Sequence, residues 1–196
     1  MALDFSTFYA RYQEIAAEAD ALFARVAQAH PDNVTCHEGC SDCCHALFDL
    51  SLIEAMFLNH EFTQRYKGEA RSRILARADE ADRAVYKLKH QLYKKVNEGV
   101  PAGEILEEVG RMRLRCPLLN DEDRCDLYES RPVTCRLYGV PMAISGEART
   151  CGKSAFVPGQ AYPTVNVEKL QDKLMLLSQE LAASLNTRHS QLADVL

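Results

Sequence analysis

The side chains with most chemistry to offer are eight cysteines in a chain of 196 residues. Cys36, Cys40, Cys43 and Cys44 stand within nine residues, the next 71 residues contain none, and Cys116, Cys125, Cys135 and Cys151 follow. Cysteines that merely fill a core would rarely group in this way. Gaps of two or three residues let neighbouring thiolates converge on one metal centre. In a helical turn Cys40 faces the same side as Cys43 and Cys44. Cys43 and Cys44 themselves diverge by about 100°. They are therefore expected to serve different metals, or to divide into a ligand and a packing residue. The second four lie far apart, on chain that must fold back to gather them. Soft thiolates favour zinc, iron–sulfur clusters or copper(I). All eight are candidate metal ligands, as two four-cysteine sites or as one site with spare thiols.

The location of the chain decides between metal and disulfide. The segment Met1-Ala2-Leu3-Asp4-Phe5-Ser6 has neither a basic start nor an apolar stretch, so no secretory signal is expected. No run of about 18 apolar residues predicts a membrane span. The expectation is a cytoplasmic protein with reduced thiols, where clustered cysteines point to metal rather than to a disulfide framework. A net charge of −5 gives no general case for nucleic-acid binding. The composition, 47% hydrophobic and 26% charged, is that of a globular chain long enough to build its own core.

The elements that must position these thiols read as helices. Phe5, Phe8, Tyr12, Ile15, Ala19, Leu22, Phe23 and Val26 recur at three- and four-residue steps and predict a helix over 4–29, ended by His30-Pro31. A second helix is expected over 49–61, with Leu52, Ile53, Met56 and Phe57 inward and Asp49 or Ser51 as cap. The strongest pattern runs over 69–97 through Ile74, Ala78, Ala81, Val85, Leu88, Leu92 and Val96, and stops at Gly99 and Pro101. A short helix follows at 102–112. Residues 113–165 hold five prolines, four glycines and four cysteines without periodicity, and predict loops and turns. A last helix, 166–187, has the seam Leu170, Leu174, Leu177, Leu181 and Leu185 and the cap Asn166. The expectation is a mostly α fold: one domain over 1–196, a helical scaffold around an irregular cysteine-rich metal-binding segment at about 36–151.

Two motifs then carry a resemblance. Cys36…Cys40…Cys43-Cys44 resembles the CxxCxxCC signature of the YkgJ cysteine-cluster family, a zinc- or iron-chelating domain. The stretch Cys125-Asp126-Leu127-Tyr128-Glu129-Ser130-Arg131-Pro132-Val133-Thr134-Cys135-Arg136 is similar to the family's C-x-x-Y-E-x-R-P-x-x-C-R element. Cys116-Pro117-Leu118-Leu119 resembles the cysteine that precedes it, and Cys151 falls where the family often has one more. The gap between Cys36 and Cys40 is three residues, where the signature has two. The cysteine region of flagellin lysine N-methylase is a more distant likeness, and there the resemblance implies an iron–sulfur cluster. It makes an iron–sulfur cluster, of the 4Fe–4S type, the expected cofactor ahead of zinc. No Gly-rich nucleotide motif accompanies it, so methyl transfer does not carry over.

Other residues surround the motifs. Arg131 and Arg136 are expected to compensate the cluster's negative charge or to bind an anion, with surface ion pairing as the ordinary alternative. Arg111, Arg113, Arg115 and Arg124 lie nearby. His37 and His45 bracket the first group, more as hydrogen-bonded neighbours than as ligands. Glu129 is expected to hold its loop by pairing with an arginine, a catalytic acid role being the sharper alternative. Residues 65–95 carry ten Lys or Arg and four Asp or Glu, a local +6, which reads as a solvated outer face or as contact with an acidic partner. Three functions fit. One is a metal-binding protein with a redox, metal-handling or electron-transfer role. Another is an iron–sulfur-dependent enzyme that modifies a protein or peptide. The last is a zinc-stabilised interaction module. The expected partners are a metal ion or cluster and, in two of these readings, a protein; no membrane and no clear nucleic acid is among them.

Overall fold

The structure is a computed structural model that describes residues 4–144 and 146–185. Its helices are α1 (Ser6–Ala29), α2 (Leu52–Arg65), α3 (Gly68–Asn97), α4 (Ala102–Arg111), α5 (Val133–Leu137) and α6 (Val167–Ser184), with 3-10 turns at Asp42–His45 and Tyr128–Ser130. The strands β1 (Met142–Ile144), β2 (Glu147–Arg149) and β3 (Val165–Asn166) form one small sheet in the order β2-β1-β3. The protein is mostly α, as its periodicity predicts. The end of the expected last helix, beyond residue 185, and the tail lie outside the described residues, as do residues 1–3.

The chain folds into two compact units. The first holds the described parts of 1–38, 50–61 and 129–196, and the second holds 39–49 and 62–128. In the first unit α1 packs against α5 and α6, and α6 against β1. Tyr12, Ile15, Ala16, Ala19 and Val26 form the buried stripe of α1. Leu170, Leu174, Leu177 and Leu181 form that of α6. Burying each such leucine contributes about 1.5–3 kcal/mol. Ile53 and Phe57 of α2 and Val133 and Leu137 of α5 complete the same core.

Caps fix where the helices start and stop. Ser51 and Glu54 form a capping box: Glu54 accepts from Ser51 N at 2.9 Å and from Ser51 Oγ at 2.7 Å, and Glu54 N donates to Ser51 Oγ at 3.4 Å. Asn166 Oδ1 accepts from Lys169 N at 3.2 Å and starts α6. His30 N donates to Val26 O and closes α1, and Pro31 prevents its extension.

The sheet departs from expectation, because 113–165 reads as mostly loop and short turns. β1 pairs antiparallel with β2, Ala143 opposite Ala148, and parallel with β3, Met142 opposite Val165. Strands of two or three residues are too short to show a two-residue period. Among the described residues of the second unit, Phe62, Ile74, Leu119 and Leu127 are the buried apolar ones. Val96, expected on the inner seam of α3, is 56% exposed.

Candidate metal centre

Backbone pairing joins the first cysteine group to the second within the second unit. Asp42–His45 is a 3-10 turn, closed by Cys44 N donating to Ser41 O and Ala46 N to Cys43 O. The chain at 113–116 runs antiparallel beside it: Ala46 bridges Arg113, Leu114 N donates to His45 O at 3.0 Å, and Cys116 N donates to Cys44 O at 2.7 Å. Arg113 clamps the turn by donating to Asp42 O at 3.0 Å and Asp42 Oδ1 at 2.6 Å. A charge-assisted bond of this kind locks the turn more firmly than backbone bonds alone.

A hairpin then returns the chain from Cys116 to Cys125. Leu119 bridges Cys125, Asp126 N donates to Leu118 O at 2.7 Å, and Asn120 N donates to Arg124 O at 2.9 Å. Asn120 Oδ1 accepts from Glu122 N and Arg124 N inside the turn, where Asp123 takes φ 56°. Asn and Asp suit such a turn because their short side chains bond the local backbone and tolerate the left-handed region. Arg115 donates to Leu119 O and Asn120 O and ties the hairpin base.

These two devices set Cys43, Cys44, Cys116 and Cys125 on adjacent stretches of chain. The Cys44 thiol interacts with those of Cys43 and Cys125, and Cys116 lies within electrostatic reach of both Cys43 and Cys125. Cys44 is held above the ordinary thiol range, first because it donates its S–H to Cys125. Cys125 is held below that range by accepting this bond, helped by the Leu127 N–H. Burial pushes Cys116 up, against the opposing pull of the Leu118 and Leu119 N–H groups. Cys43 and Cys44 are successive residues of the 3-10 turn, and their thiols interact.

The donor set suits a soft metal. Thiols are soft donors, and backbone N–H groups hydrogen-bond two of the sulfurs, those of Cys116 and Cys125. No three His, Cys, Asp or Glu side chains among the described residues stand around a common point fit to hold an ion. A metal that replaces the shared protons would draw them round itself.

Cys40 belongs to the second unit; Cys36, Cys135 and Cys151 belong to the first. Cys36 lies against Gly139, where a Cβ would come within 2.8 Å of Cys36 Cβ. Thr35 Oγ1 donates to Lys153 O at 2.7 Å, and Lys153 N donates to Cys151 Sγ at 3.4 Å. Cys135 sits on α5 and Cys151 is buried. None of the eight cysteines is in a disulfide. Arg136 is engaged in the protein itself: it donates to Glu129 O at 2.5 Å, to Arg131 O at 2.8 Å and to Asp20 Oδ2 at 2.5 Å. Arg111 makes an exposed pair with Glu107. The Nδ1 atoms of His37 and His45 bond Glu38 O and Ser41 O. A carbonyl only accepts, so Nδ1 carries a proton in both rings.

Sequence reasoning missed Asp42, Asn120 and Glu54. Asn120 is legible as a turn former, and Ser51-x-x-Glu54 as a capping box. That Glu54 Oε1 also accepts from Val133 N at 3.0 Å, at the start of α5, is a long-range contact without a sequence signal.

A family model, CxxCxxCC, matches residues 35–152, more than half of the chain, and is described as "Putative zinc- or iron-chelating domain". The chain belongs to the CxxCxxCC family. The match supports metal binding and contains all eight cysteines of this CxxCxxCC protein. No curated protein and no solved structure matches it. No helix among the described residues is long and apolar enough to cross a membrane.

Proposed function

We propose that this protein binds its metal through Cys43, Cys44, Cys116 and Cys125, as an iron–sulfur cluster of the 4Fe–4S type with a redox, metal-handling or electron-transfer role. One observation carries the reading: Cys116 N donates to Cys44 O, which sets the hairpin cysteines beside Cys43 and Cys44, and the Cys44 thiol interacts with those of Cys43 and Cys125. Four cysteines are the usual complement of such a cluster, and N–H bonds to sulfur set its potential. Cys36, Cys135 and Cys151 are the thiols that the first unit offers to a further centre.

Zinc is the second reading, favoured by the same four-thiol set, since a closed shell of four cysteines is also a structural zinc site. Anaerobic purification with metal and sulfide analysis separates the two. Iron and sulfide in equal amounts, with charge-transfer absorption in the visible, support the cluster. A colourless protein with stoichiometric zinc replaces it with the structural reading. Serine at Cys44 or Cys125 is expected to abolish binding, and full metal retention in both variants overturns the ligand assignment.

A further inference from the structure

The C-terminal half of α3 presents a face that the metal centre does not use. Residues 83–97 hold Arg83, Lys87, Lys89, Lys94 and Lys95 and no Asp or Glu, a local charge of +5 that leaves −10 on the rest of the chain. Val85, Leu88 and Leu92 line the half-buried side of this stretch, and Lys95 pairs with Glu108 of α4 at 2.5 Å. Arg83, Lys87, Lys89 and Lys94 are exposed and make no ion pair among the described residues. Tyr86 and Tyr93 lie on the same outer side, 70% and 66% exposed. Seven residues are almost two full turns, so the two rings stand about 10 Å apart along one stripe. Lys89 and His90 fall between them and Val96 continues the row.

We propose that this face docks an acidic polypeptide segment carrying apolar or aromatic side chains. Tyrosine offers large contact area at low entropic cost and anchors interfaces, and the flanking cations steer and fix an acidic partner. The other occupants fit less well. A second copy docked face to face would bring the cations of both chains together. A nucleic acid carries about one charge per 1.7 Å, far denser than the five cations spread along residues 83–97. A membrane-surface helix turns Leu, Phe or Trp to the lipid, whereas here the leucines lie on the half-buried side.

The test is binding of the full-length, metal-loaded chain to a random Glu/Tyr copolymer, with poly-glutamate, poly-uridylate and phosphatidylserine vesicles beside it. The copolymer is expected to bind most tightly, and to weaken as salt rises. Replacing Tyr86 and Tyr93 together by serine is expected to weaken copolymer binding about ten-fold or more and to leave poly-glutamate unchanged. Replacing Lys87, Lys89 and Lys94 by glutamate is expected to abolish binding of both, with helicity and metal content intact. Tighter binding of poly-uridylate or of vesicles overturns the proposal in favour of a nucleic acid or a lipid surface. Self-association abolished by the lysine changes overturns it in favour of a second copy. No copolymer binding at low salt overturns it outright.

Discussion

Cys44 works through both ends of its residue: its thiol interacts with two other thiols and its carbonyl accepts from Cys116 N. Serine there keeps the backbone bond and removes the sulfur, so metal loss without loss of helicity separates ligation from folding. Glu54 has a comparable double role away from the thiols. It is only 5% exposed, and its carboxylate holds Ser51 at the start of α2 and Val133 at the start of α5. Glu54→Ala leaves the buried Val133 N–H without an acceptor, a loss of about 1–3 kcal/mol that a urea midpoint would register. Glu54→Gln keeps an acceptor and is expected to lose less. Tyr12 adds a pH dependence. Burial, and then the Glu54 charge, push its phenol above the ordinary tyrosine range. Above about pH 10 the unfolded chain releases this proton while the folded chain keeps it, so the unfolded state binds fewer protons and stability falls as pH rises. Tyr12→Phe is expected to flatten that alkaline fall in a series of unfolding curves.

The long helices were legible because each carries a continuous apolar stripe over several turns. Leu170, Leu174, Leu177 and Leu181 announce α6, and Asn166 announces its start. Asn166→Ala is expected to lower stability by about 1 kcal/mol, measurable by thermal unfolding. The short elements were not legible. α5 has five residues, and β3 pairs with β1 across more than twenty intervening positions, so local pattern has nothing to report. The thiol grouping was legible only in part. Sequence proximity puts Cys36 with Cys43 and Cys44, whereas the fold assigns Cys36 to the first unit and gathers Cys116 and Cys125 with Cys43 and Cys44 in the second. The backbone bonds responsible join residues some seventy positions apart, beyond the reach of any spacing rule. Gly139 belongs to this scale too. At φ 115° and hard against Cys36 it admits no side chain. Gly139→Ala is expected to destabilise by about 1–3 kcal/mol of backbone strain, with the steric clash added.

At the scale of the whole molecule, the first unit owns the extended apolar core, while Phe62, Ile74, Leu119 and Leu127 are the buried apolar ones among the described residues of the second. A metal that binds only the folded chain stabilises what it holds. Chelation is therefore expected to open 113–128 to limited proteolysis before α1 or α6 is cut, and simultaneous loss of both units would contradict this order. The Cys116 N to Cys44 O bond has a further consequence for how the protein is made. Seventy-two residues separate its partners, so on the ribosome Cys43 and Cys44 emerge roughly 4–14 s before the chain that completes their site. Through that interval the nascent thiols have no partners from the hairpin, and oxidants or stray metal ions meet them first. On the proposed ligand set, metal loading is expected to follow translation of residues 113–126, and a chain stalled before them would carry its first cysteine group without its hairpin partners.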